Sequence, residues 1–140
     1  MLGYQKILVA LDINSPGNLV MSKALAVADS PSKLNLLYVT FAQTYFEPYG
    51  IAFENDELIN LQEQSEHRLE EIAVTSGVPK ENTHVVVGSP ADEIHRYAER
   101  IEADLIVIGT HGQSGLKLLL GSTANGVLHG VKCDVLAVKV

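Results

Sequence analysis

Residues 104–123 read DLIVIGTHGQSGLKLLLGST and carry the strongest structural signal in the chain. The stretch begins with a short, continuously apolar run, which is typical of a strand buried on both faces of a parallel sheet. A glycine-rich segment follows, and Gly121, Ser122 and Thr123 are typical of the start of a helix. A strand, a glycine-rich loop and a helix in that order predict an α/β protein.

The same alternation continues on both sides of this stretch. Short apolar runs rich in β-branched residues predict further strands at residues 6–11, 33–40, 83–87 and 135–140. Apolar residues at helical spacing predict helices from Ser15 to about residue 28, over residues 55–76, from Pro90 to about residue 103, and over about residues 122–131. Residues 41–54 show no clean period and predict a partly ordered loop.

Strict alternation of strands and helices predicts a five-stranded parallel sheet with helices on both faces. The fold class is therefore a three-layer α/β/α sandwich, doubly wound and Rossmann-like, in one domain spanning residues 1–140. Ser89 is expected to cap the third helix, with Pro90 in its first turn. In the longest helix, one face is expected to hold Leu58, Leu61, Leu69, Ile72 and Ala73.

The composition excludes several classes of function. Ten Lys and Arg residues against 17 Asp and Glu give a formal net charge of −7, and no stretch clusters the basic residues, so nucleic-acid binding is not expected. The N-terminal residues show neither a secretory signal nor an apolar span of membrane length, which favours a cytoplasmic protein without membrane contact. Cys133, the only cysteine, is expected to be buried or half-buried, and the histidines show no metal-ligand spacing.

Ligands of doubly wound sheets bind at the carboxyl ends of the strands, where the strand order reverses. If the first and fourth predicted strands flank that reversal, residues 12–15 and 109–123 face each other there. Gly109 and Gly112 would let the backbone approach a ligand closely, and Gly121 with Ser122 opens a helix whose free N–H groups favour an anion. Neither of the standard phosphate-binding motifs is present, so a second interpretation stays open, in which the glycines turn the chain and Ser122 caps the helix.

Five stretches resemble the universal stress protein family, and together they span essentially the whole chain. They are KILVALD at residues 6–12, the Gly88-Ser89-Pro90 turn, DLIVIGTHG at residues 104–112, GST at residues 121–123 and VLAVKV at residues 135–140. The resemblance implies a regulatory stress-response protein that forms a homodimer through its last strand, residues 135–140. An edge covered by a helix or blunted by Lys139 is the alternative.

The ATP-binding branch of that family has the motif G-x2-G-x9-G-Ser/Thr. The resemblance would place Gly109, Gly112, Gly121 and Ser122 around the phosphates, with Thr123 beside them. It also implies that Asp12 contacts the ribose and that the backbone near Val39 contacts the adenine. Asp12 has an alternative role, since an Asp after a first strand can bond the backbone of the following turn.

This chain departs from the motif by one residue, since eight residues, 113–120, separate Gly112 from Gly121 where the pattern has nine. Two functions therefore stay open: binding of ATP or a related adenine nucleotide, with or without Mg²⁺, and a non-nucleotide role through protein contacts of residues 41–54 and the helix faces. His111 could donate to a phosphate or act as an acid or base, but a role in shaping the loop is favoured. An enzyme is not expected, because Asp12 and His111 are the only catalytic candidates.

Overall fold

The computed structural model describes residues 3–13, 19–40, 55–110 and 122–140. Within these residues the chain forms five strands: β1 (Ile7–Ala10), β2 (Leu34–Thr40), β3 (Thr83–Val87), β4 (Leu105–Gly109) and β5 (Asp134–Val138). The same residues form four α-helices: α1 (Leu19–Val27), α2 (Asn55–Ser76), α3 (Pro90–Ile101) and α4 (Ser122–Leu128). The predicted start of the first helix at Ser15 and the predicted loop at residues 41–54 lie outside the described residues.

All the strands pair in parallel, in the order β3-β2-β1-β4-β5. The chain moves outward in one direction from β1 to β3 and then crosses back to β4, so the strand order reverses between β1 and β4. The predicted parallel α/β sheet is confirmed, and the reversal lies where the sequence suggested it. In this sheet β3 and β5 are the edge strands.

The sheet separates two apolar clusters. Ile7 and Val9 of β1 point into a cluster with Met21 of α1 and Leu69 of α2. Leu8, between them in the chain, points into the opposite cluster, which also contains residues of α3 and α4. Because successive side chains of a strand point to opposite faces, an unbroken apolar strand such as β1 supplies both clusters. The result is the predicted three-layer sandwich.

Helix α2 has the predicted bounds, and part of its predicted inner face is buried. Leu69 and Ala73 are fully buried, and Ile72 packs against the same cluster. Leu61 is 37% exposed and so lies at the margin of that face instead of inside it. The side chain of Leu58 lies outside the described part of the chain.

Helices α3 and α4 end earlier than the sequence pattern predicts. Glu102 adopts a left-handed conformation (φ 56°), and its N–H bonds to the carbonyl groups of Ala98 and Glu99, which terminates α3 at Ile101. Helix α4 ends at Leu128 instead of residue 131, and Gly130 follows with φ of 79°. Each helix is followed by a residue in the left-handed backbone conformation, which glycine adopts without strain.

Strand β5 begins one residue and ends two residues earlier than predicted, at Asp134 and Val138. Its register explains the end, because Val138 pairs with Gly109, the last residue of β4. Ser89 is the N-cap of α3 as predicted, although its side chain makes no capping hydrogen bond. Its carbonyl oxygen instead accepts from the N–H of Glu93 at 2.9 Å.

Candidate functional site

The carboxyl ends of β1 and β4 meet at the strand-order reversal. The two strands pair from Ile7 opposite Leu105 to Val9 opposite Val107. Beyond β1, the N–H of Leu11 still donates to the carbonyl oxygen of Leu37 at 2.9 Å. The chain therefore leaves the sheet only after Leu11, and Asp12 is the first residue past this edge.

Asp12 is held by its two neighbours in the chain. Leu11 and Ile13 are each 6% exposed and pack into the cluster beneath α1 and α2. The Nε of Arg68 donates to the carbonyl oxygen of Ile13 at 3.2 Å, which ties this turn to α2. Asp12 itself is half-buried. The backbone thus fixes a carboxylate at the edge where a ligand of such a sheet binds.

Val39 lies near the carboxyl end of β2, the strand that neighbours β1. Ala10 pairs with Leu37, and Asp12 and Val39 each follow two residues later in the chain. Val39 is half-buried and packs against the cluster on the α3 side of the sheet. Its backbone therefore lies on β2, the strand that pairs with β1, and β1 leads into Asp12.

Gly109 ends β4 on the other side of the reversal. It pairs with Val138, and the N–H of Thr110 donates to the carbonyl oxygen of Val138 at 2.9 Å. Val9 pairs with Val107, and Gly109 lies two residues after Val107. In the same register, Gly109 lies opposite Leu11, the residue before Asp12. The structure thus brings Asp12, Val39 and Gly109 to one edge of the sheet.

Ser122 and Thr123 are the first residues of α4, with Ser122 exposed and Thr123 half-buried. The helix is anchored to the core, because Ala124 and Val127 are buried in the apolar cluster between the sheet and helix α3. His111, Gly112 and Gly121, the other predicted phosphate-loop residues, lie outside the described residues.

Thr40 is a candidate that the sequence analysis missed. It follows Val39 at the end of β2, is 6% exposed, and its Oγ1 finds no hydrogen-bond partner in the described part of the chain. Buried hydroxyl groups normally have partners. The sequence did contain a signal for Thr40. It is a polar residue on the same face of the strand as the apolar Leu34 and Leu36, at the carboxyl end of that strand.

Three titratable side chains elsewhere in the described residues have surroundings that the structure defines. Burial lowers the pKa of His84, with the nearby charge of Arg100 contributing, so this imidazole is neutral near pH 7. The Nε2 of His95 lies 2.7 Å from the carbonyl oxygen of Val127. Burial also raises the pKa of the half-buried Cys133 thiol, which disfavours the reactive thiolate.

The same part of the chain contains no group of three or more His, Cys, Asp or Glu residues that could hold a metal ion. None of the helices that the structure describes is long and apolar enough to cross a membrane.

The comparisons with known proteins agree with one another. A family model described as the universal stress protein family matches residues 3–139. Universal stress protein A homolog 2 of Coxiella burnetii is 41% identical over 140 residues, which cover 98% of this chain and 96% of that protein.

Two solved structures have the same fold over nearly their whole length. Protein MJ0577 has a TM-score of 0.82 at 28% identity, covering 99% of this chain and 98% of that one. A universal stress protein in complex with cAMP has a TM-score of 0.60 at 26% identity, with coverage of 99% of this chain and 98% of that one.

Proposed function

The chain belongs to the universal stress protein family, and from that premise we propose that it is a cytoplasmic, homodimeric regulatory module that binds ATP or a related adenine nucleotide. The proposed site lies at the carboxyl ends of β1 and β4. The observation that carries the proposal is the strand-order reversal with Asp12, Val39 and Gly109 at one edge. The relative in complex with cAMP supports an adenine nucleotide as the ligand class.

Each site residue has a proposed role. The carboxylate of Asp12 accepts hydrogen bonds from the ribose hydroxyl groups, and the backbone near Val39 contacts the adenine. The phosphates are bound by Gly109, Gly112, Gly121, Ser122 and Thr123, with His111 lining the loop. Mg²⁺ would enter with the nucleotide, held by phosphate oxygens. The proposed role is binding, with at most slow hydrolysis.

Isothermal titration calorimetry with ATP and Mg²⁺ tests the proposal. We expect saturable heat with the wild-type protein and its loss on Gly112→Val or Gly121→Val, because a branched side chain blocks close approach of the backbone to a phosphate. Asp12→Asn should weaken binding by about tenfold or more, since hydrogen bonds to a charged group contribute roughly 1.5–3 kcal/mol. The matched control is Asp92→Asn, which removes an exposed carboxylate from the first turn of α3.

A second candidate function rests on the loop length. Eight residues separate Gly112 from Gly121, one fewer than in the ATP-binding motif. A shorter loop favours a non-nucleotide dimer that acts through protein contacts at residues 41–54 and the helix faces. Folded wild-type protein that gives no heat with ATP, ADP, AMP or cAMP would favour this function over nucleotide binding.

A further inference from the structure

A second cleft lies at the amino-terminal edge of the sheet, at the opposite end of the strands from the proposed nucleotide site. It has a volume of about 410 Å³ and lies between the starts of β1 and β2, the turn before β3, and the last turn of α3. We refer to it as the amino-edge cleft. A seven-residue strand such as β2 is roughly 20 Å long, so the two sites are separate.

Cationic side chains surround the amino-edge cleft. Lys6, Lys33 and Arg100 line it, and none of the lining residues that the structure describes is acidic, although the chain as a whole carries a net charge of −7. Ile7 pairs with Leu34, so Lys6 and Lys33 precede neighbouring positions on strands about 4.8 Å apart. The register thus places two lysines next to each other at the margin of the cleft, where their positive charges attract an anion.

Two carboxylates contact residues of the cleft without neutralising all three of its cationic side chains. Asp104 accepts hydrogen bonds from the backbone N–H groups of Gln5 and Lys6, at 2.8 and 3.0 Å. Asp29 forms a salt bridge with Lys33 at 2.6 Å. Neither carboxylate lines the cleft, and none of the salt bridges within the described residues uses the side chain of Lys6 or Arg100.

Arg100 is well placed to meet an anion. Its guanidinium carbon lies 5.8 Å from the centre of the Tyr97 ring, which supports the side chain at the cleft. A guanidinium presents a planar set of donors that matches phosphate oxygens, and an adjacent ammonium adds a point charge. Arg100 and Lys6 together therefore favour a phosphate group over a single carboxylate.

Neutral polar side chains line the cleft together with its cationic residues. Asn35 is a half-buried amide on β2 between apolar neighbours. The Nδ2 of Asn82 donates to the carbonyl oxygen of Leu34 at 3.1 Å, which fixes the plane of its amide. Ser32 lines the same cleft. Amides and hydroxyl groups at fixed positions suit the hydroxyl groups of a sugar.

We propose that the amino-edge cleft binds a small sugar phosphate, with the phosphate between Lys6 and Arg100 and the sugar hydroxyl groups against Asn35 and Asn82. The cleft is lined by residues far apart in the sequence that β1, β2 and α3 bring together. The site is independent of the nucleotide site and is expected whether or not nucleotide binds.

An NMR titration of the full chain with glucose 6-phosphate tests the proposal, with glucose and inorganic phosphate as comparison probes. We expect saturable shifts of the side-chain amide signals of Asn35 and Asn82, weaker binding of inorganic phosphate, and none of glucose. Shifts confined to Gly109, Thr110 and Ser122 would assign the phosphate to the carboxyl edge and overturn the proposal. Equal affinity for inorganic phosphate and glucose 6-phosphate would overturn recognition of the sugar.

Two variants localise the binding energy. Lys6→Gln and Arg100→Gln should each weaken glucose 6-phosphate binding by about tenfold or more, because each removes a charged hydrogen-bond donor. Lys23→Gln, at an exposed position on α1, is the matched control and should bind as the wild type does. Circular dichroism establishes that each variant is folded. Wild-type affinity in both cleft variants would refute the site.

Discussion

Thr40 places an unsatisfied hydroxyl group next to the proposed adenine position. Its carbonyl oxygen accepts from the N–H of Gly88 at 2.8 Å, so the backbone is fixed, while its buried Oγ1 has no partner in the described part of the chain. An unpaired buried polar group of this kind costs about 1–3 kcal/mol. Such a cost is more often found at functional sites than elsewhere, which agrees with the position of Thr40 beside Val39.

We expect Thr40→Val to raise the free energy of unfolding by about 1 kcal/mol, because valine has nearly the same shape without the polar atom. Urea unfolding followed by circular dichroism, without ligand, measures the change. Thr83→Val is the matched control, since the Oγ1 of Thr83 donates to the carbonyl oxygen of Lys80 at 2.7 Å, and this variant should be destabilised. A loss of stability in both variants would mean that the Thr40 hydroxyl has a partner after all.

Local periodicity was enough to predict most of the elements and the edge of the sheet at which the proposed site lies. The bounds of α2 and β3 match the prediction, because both elements end at turn residues that the sequence displays. Asp12 and Gly109 could be predicted to lie at this edge, since Asp12 follows an apolar strand and Gly109 ends one. The early end of α3 was missed, because a left-handed stop at Glu102 depends on hydrogen bonds and not on residue type. The early end of α4 had a signal in the sequence, since Gly130 is typical of a left-handed helix end.

The amino-edge cleft could not be predicted from the sequence, since Lys6, Lys33 and Arg100 are scattered along the chain. Only the pairing of β1 with β2 and the packing of α3 over them bring these charges together. A scan for basic clusters in the sequence therefore gave no sign of the cleft.

Helices α3 and α4 approach each other closely at Gly126. A Cβ atom at this position would lie 2.6 Å from the Cβ of Ala91, closer than two carbon atoms can pack. The alanine side chain has no flexible end that could move aside. Glycine lowers helix propensity by about 1 kcal/mol relative to alanine, so its presence inside α4 indicates that the helix contact requires it.

We expect Gly126→Ala to lower the free energy of unfolding by about 1–3 kcal/mol, because overpacking outweighs the gain in helix propensity. Combining it with Ala91→Gly removes the opposing Cβ and should restore part of the lost stability. Denaturant unfolding of the wild type, both single variants and the double variant measures the interaction energy between the two positions. Strictly additive effects would contradict a direct contact between the two positions.

Strand β5 presents an open edge of the sheet on which the proposed dimer depends. In a parallel strand the N–H and C=O groups of successive residues point alternately to the two sides. The carbonyl oxygen of Val138 accepts from Thr110 on the β4 side, so the N–H of the preceding residue, Ala137, faces the open edge. Ala137 is also exposed, which leaves its backbone accessible to a second copy of the chain.

We expect Ala137→Pro to convert the proposed dimer into a folded monomer, because proline removes an outward N–H group while the bonds to β4 come from its neighbours. Sedimentation velocity should give about twice 15.1 kDa for the wild type and about 15.1 kDa for the variant. Ala137→Val keeps the N–H group and should remain dimeric. Circular dichroism separates loss of the dimer from loss of the fold. A folded Ala137→Pro dimer would show that the subunits meet on another surface, and a monomeric wild-type protein would show that the open edge of β5 is not used for self-association.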